Sequence, residues 1–169
     1  MVVSLFVENV LNSVTNQVTY DSETGGRTTM PVNLNGNWRA SGALSLSGPF
    51  KNRNWLFRTY SYLQYRNQNG YTTQNKEEPM KSSVKHLTAR ERLQFTFRTR
   101  QLELSARGEV LYNNSYNNVK DMRTETFDYQ LGGDLQYYLP WGFECSSDLT
   151  YFLRTGYGYD SSGRKNLIW

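Results

Sequence analysis

The sequence is short of the residues that most often betray a function. A single cysteine in 169 residues excludes an internal disulfide and a cysteine-rich metal site. A single histidine, His86, has no ligand cluster around it and no serine–acid pair that would make a nucleophile. Enzymatic chemistry is therefore not expected, and neither is a metal or a cofactor. No run of 18 apolar residues occurs, which excludes a transmembrane helix. It does not exclude a membrane, because a transmembrane strand needs only alternate residues to be apolar, and the mean hydropathy of −0.72 conceals such a pattern. A net charge of +4 is too small to point to nucleic acid. The start, MVVSLFVENVL, has no basic residue, carries an acid at Glu8 and lacks a small-residue cleavage site. The expectation is that any export signal belongs to a longer parent.

What the sequence does have is aromatic residues, 15% of the whole, and alternation. Period-two patterns recur in long runs, and helical spacing is hard to find. The alternation predicts strands over 2–18, 35–47, 55–66, 84–98, 102–113, 124–139 and 142–155, with an eighth beginning near Lys165. The fold class expected is all-β, an antiparallel up-and-down meander of about seven or eight long strands in one segment, residues 1–169. Connections alternate in length. Those at 48–54, 99–101 and 140–141 are short, whereas those at 19–34, 67–83, 114–123 and 156–164 are long and rich in Asn, Gly, Ser and Thr. Lys51, Lys76, Lys81, Lys85, Lys120 and Lys165 all fall in connections or at strand ends. Antiparallel strands then gather short turns at one end and long loops at the other, the layout of outer-membrane barrels.

The two faces of these strands differ sharply. One holds Trp38, Ala40, Gly42, Leu44 and Leu46, then the odd positions of 55–65, 87–97 and 127–137, the even positions of 102–112, and the odd positions of 143–153. Over about 35 positions it carries one charge, Glu91. The other face carries Arg39, Arg58, Arg66, Arg90, Arg92, Glu103, Arg107, Glu109, Asp128, Asp134, Glu144, Asp148 and Arg154. On the apolar face the large rings sit at the strand ends. Trp55, Phe57, Phe95, Phe97, Tyr137 and Phe143 lie near the short turns; Trp38, Tyr65, Tyr112, Phe127, Tyr129 and Tyr151 lie toward the long loops. Small groups and leucines fill the middle. A soluble core wants bulk at its centre, whereas a lipid-facing wall wants aromatic girdles at both interfaces. Tyr65 lies ten steps beyond Trp55, about 33 Å of strand, which spans roughly 25 Å when tilted. The apolar face is thus expected to meet lipid and the polar face to line a lumen. Arg39, Arg58, Arg90, Arg92, Glu109 and Asp134 are the candidate lumen residues for a substrate path. A turn just after Arg98 would set Arg90 opposite Glu109 and Arg92 opposite Arg107. Glu91 on the lipid side is the anomaly: it faces a neighbouring protein, carries a proton, or marks a bulge. His86 is expected as a solvated strand-end residue and Cys145 as a small wall residue. The competing expectation is a soluble lipocalin-like ligand-binding barrel, with the apolar face turned inward.

Four segments add a resemblance. GGRTTMPVNLNGNW (Gly25–Trp38), ARERL (Ala89–Leu93), YLPWG (Tyr138–Gly142) and NLIW (Asn166–Trp169) resemble, in this order, segments of the large outer-membrane β-barrel family allied to TonB-dependent receptors. The resemblance implies a Gram-negative outer-membrane location and uptake of a nutrient. It implies a barrel of more strands than this chain supplies, so that the chain is a fragment of a larger parent without its plug or signal peptide. The partners it implies are the lipid bilayer, the remaining strands and plug of that parent, TonB and a surface lipoprotein.

Overall fold

Alternation of apolar and polar residues leaves little choice but extended backbone, and the structure is all strand and turn. The structure, a computed structural model, describes residues 1–20, 23–50, 52–72, 80–119, 121–156 and 166–168. The strands are β1 (Val2–Val10), β2 (Ser13–Tyr20), β3 (Arg27–Leu34), β4 (Asn37–Phe50), β5 (Asn52–Thr72), β6 (Met80–Arg98), β7 (Leu102–Asn117), β8 (Met122–Tyr138), β9 (Glu144–Thr155) and β10 (Asn166–Ile168). No helix occurs among the described residues.

From β4 to β10 each strand pairs with the next, antiparallel, and β1 adds to the free edge of β4, giving an eight-stranded sheet. Among the described residues the sheet is open, with β1 at one edge and β10 at the other. Among the described residues the one irregularity of register lies between Pro49 and Phe50, next to the β4–β5 turn.

The expected first strand, 2–18, and the expected loop, 19–34, are both corrected. The strand breaks at Leu11–Asn12, where Asn12 takes φ 53°, a left-handed conformation that Asn tolerates better than most residues. Its amide is held by the Asn35 side-chain oxygen at 2.6 Å. Beyond the break the chain forms a hairpin of its own, β2 with β3, leaning toward β5. Pro31 fits within β3 because that strand has a partner on one side only. The other long connections are partly strand as well. The β5–β6 ribbon stays paired out to Thr72 and Met80, and β7–β8 to Asn117 and Met122. Tyr116 and Asp121 close the latter through a 3.0 Å hydrogen bond, which raises the Tyr116 phenol above its ordinary pKa. Lys81 and Lys85 lie in the outer part of β6; Lys51, Lys76, Lys120 and Lys165 lie outside the described residues.

Among the described residues the sheet is a single layer without a core. Leu34 is the only buried hydrophobic residue among those described. The other buried residues are small and polar, among them Thr59, Thr96, Ser105 and Thr150. The apolar side chains lie on one face, as the strand period requires, because the register keeps partners of equal facing together from β4 to β9.

Candidate functional site

The constant register decides which side chains meet on the polar face. Arg92 stands opposite Glu109 and Gln94 opposite Arg107. This corrects the expected pairing of Arg90 with Glu109 and Arg92 with Arg107. The β6–β7 turn centres on Arg100–Gln101, with Thr99 donating its amide to the Leu102 carbonyl at 2.8 Å, and every pair beyond shifts accordingly. Glu109 still binds both arginines: Arg92 directly across at 2.6 Å, Arg90 diagonally at 3.2 Å.

A second cluster centres on Arg107 of β7. Its Nη1 donates to both oxygens of Asp134 on β8 at 2.9 Å, and its Nη2 to Asp148 and Thr150 on β9 at 2.9 and 3.0 Å. One guanidinium thus ties three strands, which its planar fork of donors suits. The intervening position is Gly132, opposite both Arg107 and Thr150. A Cβ there would come within 2.6 Å of Arg107 Nε and 2.9 Å of its Cγ. The missing side chain is what lets Arg107 lie across the strand.

Arg39 of β4 pairs with Glu8 of β1 at 2.8 Å, and its guanidinium lies 5.0 Å from the centre of the Phe6 ring. Arg58 borders a depression of about 350 Å³ shared with Arg98 and Glu103. Arg98 forms a two-pronged pair with Glu103 at 2.7 and 2.8 Å, one step beyond Phe97 toward the turn. This bonding, first of all, holds the Glu103 carboxyl below its ordinary pKa. Among the described residues, then, the six candidates share one face but form no single site. Arg90, Arg92 and Glu109 come together, Asp134 belongs to the Arg107 cluster, and Arg39 and Arg58 stand apart. Glu8, Arg107 and Asp148 join these clusters without being among the six. Gly132 opposite an arginine with carboxylates nearby is the readable signal for Arg107. For Glu8 there is none, since β1 meets β4 only after a hairpin intervenes.

Other residues carry less chemistry. His86 Nε2 contacts the Thr88 hydroxyl at 3.1 Å, which in turn donates to Asn113. Cys145 is exposed. No group of three or more potential metal ligands occurs among the described residues. Glu91 sits on the apolar face between Ser61 and Val110 in unbroken register. The bulge that would explain it is therefore not there. Its carboxylate instead accepts a 2.7 Å hydrogen bond from the Thr59 hydroxyl.

The apolar face pairs its rings at both ends. Trp55 meets Phe97 at 4.9 Å and Phe57 meets Phe95 at 5.2 Å near the short turns. Trp38 meets Tyr65 at 5.0 Å and Tyr112 meets Phe127 at 4.7 Å toward the long connections. No protein-family profile, curated protein or solved structure matches the chain.

Proposed function

We propose that this chain forms part of the wall of an outer-membrane β-barrel, within a receptor of the TonB-dependent type that takes up a nutrient. The observation that carries the reading is the apolar face. It runs across six strands with Glu91 as its one charge, is framed by ring pairs at both ends, and is covered by none of the described residues: Leu63 is 55% exposed, Leu131 62% and Leu104 48%. Water-soluble monomers seldom expose apolar patches beyond a few hundred Å². Hydrocarbon would cover this one, and the rings would lie at the headgroup level. The paired charges of the opposite face then line an aqueous lumen. A bilayer offers no partners for backbone N–H and C=O groups, so both sheet edges require further strands. On this reading the partners are the bilayer, those strands with a plug, and through them TonB and a surface lipoprotein.

The lipocalin-like alternative requires Leu44, Leu93, Leu104 and Leu135 to pack in a dry interior. The last three are 42%, 48% and 41% exposed. Single-tryptophan variants in vesicles of brominated lipid test the proposal. Trp55 alone is expected to be quenched by bromines near the headgroup, and a tryptophan introduced by Leu93→Trp by bromines deep in the bilayer. Good solubility without detergent, with neither residue quenched, would overturn it.

A further inference from the structure

We infer that the polar face carries an oxyanion-binding site where β4 and β5 meet the end of β1. Arg39 and Arg66 stand directly opposite one another in the register, and His86 stands next to Arg66. Like charges across a strand pair are unfavourable unless something lies between them. Arg39 is answered by Glu8; Arg66 has no ion pair among the described residues.

A cavity of about 250 Å³ opens here, and its lining includes both arginines, Glu8, Asn37 and Gln68. Strand alternation puts Asn37, Arg39, Arg66 and Gln68 on the same face. Donors outnumber acceptors. The only carboxylate, Glu8, is engaged by Arg39. The Asn37 oxygen is occupied by the Asn69 amide at 2.6 Å, which leaves the Asn37 NH₂ free to donate. Arg39 is held in place by Glu8 on one side and the Phe6 ring on the other. Its Nε is nevertheless buried without a hydrogen-bond partner, which costs free energy. Two guanidinium groups with flanking amides suit the oxygens of a carboxylate, sulfate or phosphate.

The ligand class is therefore a small molecule bearing such a group. The inference does not depend on the bilayer reading, since the same donors would converge in a soluble barrel. Calorimetric titration of the folded chain in detergent at constant ionic strength, with sodium chloride as reference, tests it. The probes are inorganic phosphate, inorganic sulfate and galacturonate. One or more is expected to bind, and Arg66→Gln to weaken it about tenfold. Arg66→Lys is expected to weaken it less. Arg100→Gln, the same charge change at the far turn, is expected to leave it unaltered. Preference for galacturonate assigns an acidic sugar, and preference for phosphate or sulfate an esterified ligand. If no probe binds better than chloride, or if Arg66→Gln and Arg100→Gln behave alike, the site does not exist.

Discussion

Arg107 reaches three strands because Gly132 gets out of its way. The four hydrogen bonds it makes run over a backbone with no side chain on it. Gly132→Ala is expected to push the guanidinium off Asp134, Asp148 and Thr150. Its partners are part-exposed, so the loss should be modest, about 1–2 kcal/mol in equilibrium unfolding, between the value of a surface pair and that of a buried charge-assisted bond. In a double-mutant cycle with Arg107→Gln the second substitution should add little to the first. Full additivity would show that the glycine acts by other means. At this scale the sequence is legible only in part. The side of the sheet on which each charge sits comes from alternation alone. Which charges touch depends on where one turn is centred, and a shift at Arg100–Gln101 rewrites every pairing between β6 and β7. The oxyanion site is less readable still, because the register that sets Glu8 opposite Arg39 depends on the β2–β3 hairpin, which stands in place of the expected single strand and loop.

Among the elements, the β6–β7 hairpin has its turn closed twice, by the Thr99–Leu102 backbone bond and by the Arg98–Glu103 pair. Glu103 has its pKa depressed in the folded chain. Its contribution is thus present above the ordinary carboxylate range and is lost as pH falls through the lower folded value. The pair is solvent-exposed, so the effect is local. The protection factors of the turn amides, measured by NMR exchange relative to the intrinsic rate at each pH, should fall on acidification in the native chain and change little in Glu103→Gln. An equal fall in both would exclude the pair as the cause. Element existence is readable where alternation is long, as in β5 to β8. It fails at the start of the chain, where one asparagine in a left-handed conformation divides a strand, and TTMPVNL pairs although its composition is that of a loop. Pro31 and the surrounding Asn and Thr residues read as loop chemistry, yet an edge strand accepts them. β4 to β8 also run longer than alternation predicts, because Asn, Ser and Thr continue a ladder as readily as they form a loop once the partner strand is already aligned.

For the whole molecule, the feature with the widest reach is the missing interior. Among the described residues Leu34 of the β2–β3 hairpin is the only buried hydrophobic one, and none of them hides the leucines and rings of the eight-stranded sheet. Ladder bonds and cross-strand contacts fix the shape, but the largest favourable term in folding, removal of apolar area from water, is left to the surroundings. A melting midpoint would then be a joint property of the polypeptide and its solvent. Refolded into detergents or lipids of increasing acyl length, the chain should show a midpoint that rises to an optimum near the separation of its two ring belts and falls beyond it. A midpoint indifferent to acyl length would mean that the leucines find shelter within the protein itself.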